Sequence, residues 1–229
     1  MDQWKREWQS QIEPWVSGQM SLADSGHGID HVRRVVENAI RIGVAENADH
    51  EVYLPAAWLH DCVIVPKNSP DRNMASWISA TSAEGFLTSI GYPEKLRVSI
   101  AACIRSHSFS ANIPCDSIES KVVQDADRLE AVGAIGLARC FMTGGSMRQR
   151  LYHPDQPFPI DRLPIDSEQS VDHFFAKLLG LHKTMQTPTG REEAGRRTQF
   201  LVDFLRQLCC EIGWSRIELD RAIDQAIGG

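Results

Sequence analysis

Apolar positions recur at three- and four-residue spacing through most of this chain, the period of helices that bury one face. Trp4, Trp8, Ile12, Trp15 and Val16 form the first stripe and predict a helix over residues 2–17 that docks on a core. Val32, Val35, Val36, Ala39, Ile40 and Ile42 predict a second, from Asp30 as N-cap to Asn47. A third is expected from His50 to Val63, with Pro55 admissible in its first turn or at a kink. A fourth runs from Met74 to Ile90 and stops at Gly91; a fifth opens at Pro93 and ends in the polar run from Arg105 to Ser108. Asp116-Ser-Ile-Glu119 reads as a capping box for a sixth helix, carried by Val122, Val123, Ala126, Leu129, Val132 and Ile135 as far as Thr143. The small residues Ala131, Gly133, Ala134 and Gly136 would let that helix approach its neighbours closely.

Residues 147–166 hold Pro154, Pro157, Pro159 and Pro164 with little periodicity, which predicts a long loop. It carries Arg148, Arg150, Tyr152 and His153 and is either a lid over a phosphate-bearing substrate or a surface excursion. Asp166 is expected to cap a helix through Val171, Phe174, Phe175, Leu178, Leu179 and Leu181. After a turn at residues 187–190, Arg191 to Ile212 forms the next helix, and Ser215 with Glu218 caps a short last one. The expected fold class is therefore an all-α helical bundle. Its expected organisation is an N-terminal helix over 1–24, a core over 25–143, the Pro-rich loop over 144–166, and helices over 167–229 completing the same domain.

Composition narrows the partners. A net charge of −6 and a pI near 5.7 argue against a binder of duplex nucleic acid that relies on a broad basic surface. A local basic pocket for a small phosphate ester stays compatible with that balance. The six cysteines show no CxxC pairing, and adjacent Cys209 and Cys210 suit a disulfide framework poorly, so all are read as reduced thiols. With no leader-like start and no apolar run of membrane-spanning length, a cytoplasmic protein without membrane association is expected.

The chemistry centres on Leu54 to Val63, LPAAWLHDCV, which sets His60 beside Asp61 in an otherwise apolar segment. Burying either group without a partner is costly. Imidazole nitrogen and carboxylate oxygen together suit a borderline divalent metal. Further donors lie in SGHGIDHVRRV, with His27 and His31, and in VVQDADRLEAVGAIGLAR, with Asp125, Asp127 and Arg128. Asp125 and Asp127 stand about 200° apart around a helix, so only one of them can face a given ion.

The ordered set His31, His60-Asp61 and Asp127 resembles the signature of the HD-domain metal-dependent phosphohydrolase family: a first His, a His-Asp doublet and a distant Asp, each on a helix of a bundle. The segments DHVRRV, AAWLHD, IRSHS and QDADRLEAVGAIGLAR also resemble that family's uncharacterised bacterial members, from about Ser25 to Ala138. The resemblance implies His31, His60, Asp61 and Asp127 as metal ligands, Asp127 being the Asp that precedes Arg-Leu. Bound singly, those four would leave coordination positions open, as a catalytic site requires. The ion, whether Mn, Mg, Fe, Co, Ni or Zn, would activate water and polarise a phosphoryl oxygen. Asp61 would orient that water or act as its base. His107, Arg72 and Lys67 are further candidates for the reacting centre, and His27, Arg128 and Arg148 for substrate binding; each is otherwise a solvated or structural group.

The function this implies is hydrolysis of a phosphate ester or anhydride, with a nucleotide or similar small molecule as substrate class. Two alternatives stand beside it: a catalytically silent metal- and nucleotide-binding regulatory module, and an all-α scaffold whose His and Asp residues only cap and pair. No P-loop, nucleophile elbow or Gly-rich dinucleotide fingerprint is present.

Overall fold

A computed structural model of the chain describes residues 1–20, 28–65, 69–108 and 112–228, and every regular element among them is helical. The chain divides into two compact units, Met1–Asp127 and Arg128–Gly229.

In the first unit, α1 covers residues 2–19, with a π turn at Lys5–Gln9 between its α-helical parts Asp2–Trp4 and Ser10–Gln19. Its tryptophan stripe docks as the spacing predicts. Trp15 stacks on Phe86 with ring centres 4.2 Å apart, and Trp8 meets Tyr92 edge to face at 4.7 Å. The helix α2 spans Ile29–Ala45 and begins two residues earlier than expected, because Gly28, not Asp30, is the cap and its carbonyl accepts from His31. Next, α3 spans His50–Leu59, four residues shorter at its end than expected. At that end the His60 ring takes over the Ala57 carbonyl.

Pro55 lies inside α3 without ending it. Proline cannot donate to the carbonyl four residues back, which here belongs to Glu51. The Tyr92 hydroxyl donates to that carbonyl and in turn accepts from the Trp4 indole at 2.9 Å. The group that proline leaves open thus becomes the tether of α1. Where α2 crosses α3, Gly43 leaves room for Tyr53: a Cβ there would stand 2.4 Å from the ring.

A 3-10 turn at Pro70–Met74 leads into α4, Ala75–Ser89, and Gly91 in the left-handed region (φ 76) turns the chain into α5, Glu94–Ser106. Helix α6 spans Ile118–Arg128. Its capping box is shifted from the expected one: Ser117 and Ser120 exchange hydroxyl-to-amide bonds, while Glu119 accepts from the backbone N–H of Asp49.

The second unit departs further from the periodicity. The expected continuous sixth helix breaks into α6, a 3-10 turn at Leu129–Ala131, and α7 over Gly133–Ser146. Val132 is extended and Gly133 left-handed (φ 74), and a Cβ on Gly136 would lie 2.2 Å from the Ala131 carbonyl carbon. The small residues therefore make a tight turn rather than a smooth flank.

The expected helix after Asp166 is reduced to a π turn at Phe174–Leu178 and a 3-10 turn at Leu181–Thr184. Glu168 and Ser170 spend their backbone groups on Arg150, so no helix can start there. The Pro-rich loop is fastened down: Phe158 is buried, and the guanidinium of Arg162 pairs with the fully buried Asp172, which also accepts from Ile165 at 2.7 Å. Helix α8, Pro188–Glu211, begins earlier than expected because Thr187 caps it through a 2.9 Å bond from Gly190. Last comes α9, Arg216–Gly228, with Ser215 accepting from the Glu218 N–H.

Candidate metal centre

Four helix ends of the first unit bring five donor side chains together. His31 lies in the first turn of α2, His60 and His107 are the C-caps of α3 and α5, Asp61 follows His60, and Asp127 lies in the last turn of α6. Their donor atoms form two groups, His31, His60 and Asp127, and His60, Asp61 and His107, within each of which all atoms lie within 4.8 Å of one another. The C-termini of α3, α5 and α6 each direct the negative end of a helix dipole here, which favours a cation.

The two C-cap histidines are aimed by their own helices. His60 Nδ1 bonds the Ala57 carbonyl at 2.8 Å, and His107 Nδ1 bonds that of Ile104 at 2.6 Å. A carbonyl only accepts, so Nδ1 carries a proton in both rings, and the Nε2 of His60 keeps its lone pair facing the cluster. Two amides brace the frame. Asn38 of α2 donates to the Ala126 carbonyl at 3.2 Å, one residue before Asp127; Gln124 of α6 donates to the Ser106 carbonyl at 2.7 Å, one residue before His107.

His60 Nε2 is buried and has no hydrogen-bond partner. Its neighbours, Asp61 Oδ2 at 3.8 Å and Asp127 Oδ1 at 3.9 Å, stand too far away for a hydrogen bond. Burial, the dominant influence, lowers the His60 pKa and keeps the ring neutral. An orphaned buried acceptor is costly, whereas ligands that share one ion at about 2.0–2.2 Å sit about 3–4 Å apart. The donor spacing thus fits a divalent metal, which His31, His60, Asp61, His107 and Asp127 could hold. With Nδ1 committed to Ala57, His60 can serve one ion through Nε2.

The remaining pairs are closer. His31 Nε2 lies 3.4 Å from Asp127 Oδ1, and His107 Nε2 lies 3.4 Å from Asp61 Oδ1. Burial pushes both carboxyls up, yet the imidazoles bonded to them and the surrounding ring charges hold both well below the usual range. Burial likewise opposes charge on His107, but the Asp61 bond and the Asp61 and Asp127 charges outweigh it and raise its pKa to about 9. The three imidazoles are buried, while the side chains of Asp61 and Asp127 stay 35% and 29% exposed. The carboxylates therefore mark the side open to a substrate. Cys62, next in sequence, is no thiolate donor, because burial pushes its thiol up to about 12.

Of the residues expected from sequence, His31, His60, Asp61 and Asp127 converge, and His107, expected as a substrate or leaving-group contact, joins them. Arg72 is exposed and donates to the Val65 carbonyl at 2.9 Å. Arg128 is buried in the second unit with its guanidinium on the Thr184 carbonyl, so that donor is engaged by the fold. Arg148, also in the second unit, is exposed in the left-handed region (φ 57) just past α7 and ends that helix. His27 and Lys67 lie outside the described residues. The bracing role of Gln124 escaped sequence reading, although its position three before Asp127 on a helix puts it on the same face.

The HD domain family matches residues 28–132 of this chain. YpgQ of Bacillus subtilis, described as an uncharacterized protein, is 36% identical over 203 residues, covering 86% of this chain and 90% of its own. The crystal structure of YpgQ in complex with ADP matches with a TM-score of 0.68 over 89% of this chain and 97% of that one. The crystal structure of an HD-superfamily hydrolase from Bacillus thuringiensis matches with a TM-score of 0.72 at 30% identity, over 92% of this chain and 100% of that one.

Proposed function

The chain belongs to the HD-domain family, and from that premise we propose that it is a metal-dependent phosphohydrolase that cleaves a phosphate ester or anhydride of a nucleotide or similar small molecule. The observation that carries this reading is the buried, unpartnered Nε2 of His60 among donors spaced for a shared ion, with partly exposed carboxylates on the open side. Hydrolysis in general agrees with the HD-superfamily hydrolase from Bacillus thuringiensis that shares the fold. A nucleotide agrees with the ADP in the crystal structure of the YpgQ relative.

When bound, a divalent ion supplies Lewis acidity that activates a water and polarises a phosphoryl oxygen. His31, His60, Asp61 and Asp127 are the residues that would hold it. Asp61 has a second role available, because its Oδ1 is held 3.4 Å from His107 Nε2 while Oδ2 faces His60. A carboxylate oriented by a protonated imidazole can take a proton from the attacking water. His107 would give its own Nε2 proton to the leaving oxygen and be restored from Asp61, 3.4 Å away. Burial of the three rings excludes bulk water from the inner wall and strengthens each of these interactions.

Purified protein should contain stoichiometric divalent metal, and His60→Ala and Asp61→Ala should each lose it. Phosphate or pyrophosphate release from a panel of nucleotides, screened across Mn, Mg, Fe, Co, Ni and Zn, tests the activity. Nucleotide binding without turnover under every ion would instead favour the silent regulatory module, and metal retained in both variants would leave only the scaffold.

A further inference from the structure

Of the five donors at the cluster, four are fixed by the helix they belong to. His31 and Asp127 lie within α2 and α6, and His60 and His107 cap α3 and α5 with Nδ1 on a carbonyl of the same helix. Asp61 is the exception. It follows the α3 cap in a turn, where the Cys62 N–H still reaches back to the Leu59 carbonyl at 3.2 Å but the chain then leaves the helix. Its two oxygens serve imidazoles of two different helices, Oδ1 standing 3.4 Å from His107 Nε2 and Oδ2 3.8 Å from His60 Nε2. A carboxylate with that placement needs its backbone held from outside α3.

The holding group is Ser79 of α4, which is fully buried. Its hydroxyl accepts the Val63 N–H at 3.3 Å, and its carbonyl accepts the Cys62 thiol at 3.4 Å. Both contacts come from one residue and land on the two positions that follow Asp61. Together they fix where the chain leaves Asp61 and in which direction. The Cα of Val63 lies at most ~7 Å from that of Asp61, so a shift at the anchor reaches the carboxylate. Ser76, one turn earlier on the same face of α4, is buried too, but its hydroxyl has no hydrogen-bond partner among the described residues. The two serines therefore differ in bonding and share their surroundings.

We propose that Ser79 is a positioning residue for Asp61: by holding Cys62 and Val63 it sets where the Asp61 oxygens stand between His60 and His107. This rests on the phosphohydrolase reading above, in which Asp61 is a ligand, and adds α4 to the elements that build the centre. Groups that orient a metal ligand govern metal affinity or activity by about 10–100-fold although they never touch the ion. Ser79 acts in that way through the backbone, where Asn38 and Gln124 act on the residues before Asp127 and His107.

The test is titration of the metal-stripped full chain with Co, followed by the visible absorption of the bound ion, which reports ligand type and geometry. Ser79→Ala should bind Co about tenfold more weakly, with an altered spectrum. Ser76→Ala, which deletes a buried hydroxyl from the same face, should match wild type in both. Cys62→Ala removes the second contact without touching α4 and should move affinity and spectrum in the same direction by less. Each variant deletes a single heavy atom, so the fold is kept, and a cooperative melting curve verifies it. Wild-type affinity and spectrum in Ser79→Ala, or an equal change in Ser76→Ala, would overturn the positioning role and spare the phosphohydrolase reading. Wild-type protein without a Co site would overturn both.

Discussion

At the scale of single residues, the cluster is governed by which groups carry protons when no ion shares them. Burial lowers the His60 pKa, so the folded protein refuses a proton that the unfolded chain takes up below about 6.5, and stability falls as the pH drops through that value. His107 behaves in the opposite sense. Its pKa rises to about 9 despite burial, because of the Asp61 bond and nearby carboxylate charge, so its stabilisation is complete below about 6.5 and is lost as the pH rises through 9. Asp61 and Asp127 have lowered pKa values and give up their stabilisation only in acid. Melting temperatures of chelated protein from pH 5 to 9.5 should therefore peak near 6.5. His107→Gln should flatten the alkaline fall and keep the acid one; a wild-type curve level between 6.5 and 9 would contradict this. Gln124 is the second residue with a specific expectation. Gln124→Leu leaves the buried Ser106 carbonyl without its 2.7 Å donor, at a cost of about 1–3 kcal/mol, and loosens the end of α5 that aims His107. Turnover should drop while metal content stays near wild type. Equal loss of both would assign Gln124 to general packing.

At the scale of elements, the pattern of apolar spacing was sufficient wherever a helix is closed by its own chemistry. The stripe of α1, the proline and glycine limits of α4 and α5, and the Ser215 cap of α9 stand where spacing and end residues put them. Periodicity misled where a distant partner claimed the backbone first. The stretch after Asp166 has helical spacing, yet Arg150 takes the backbone groups of Glu168 and Ser170, and helix formation is reduced to a π turn and a 3-10 turn further on. Pro55 shows the reverse, a nominal breaker accommodated because Tyr92 supplies the donor that proline lacks. Tyr92→Phe removes that donor and the acceptor for Trp4 together, so it should cost about 2–3 kcal/mol and loosen α1 first. Chemical denaturation should show the loss, and hydrogen exchange should place it in residues 2–19; uniform exchange across the first unit would contradict the tether.

At the scale of the whole molecule, a metal held by the cluster of the first unit would link binding to folding. Saturating ion at a hundred times its dissociation constant should add about 2.7 kcal/mol, a rise of roughly 5–10 °C in melting temperature for a chain of this size. Calorimetry with and without chelator reads it, and an ion-independent transition would mean that the cluster is not a metal site. What the order of residues determined by itself was the all-α class, because helical period is a local property of a chain, while the candidate set His31, His60, Asp61 and Asp127 came from the family signature that those residues resemble. Tertiary structure decided the rest. It placed His107 against Asp61, turned Gln124 into a brace, broke the sixth helix at Gly133, and committed Arg128 to Thr184. Each of these depends on a partner distant in sequence or on a backbone angle that one position alone must adopt. Such choices are settled by the competition for donors and space once the helices have met, and a one-dimensional pattern carries no record of that competition.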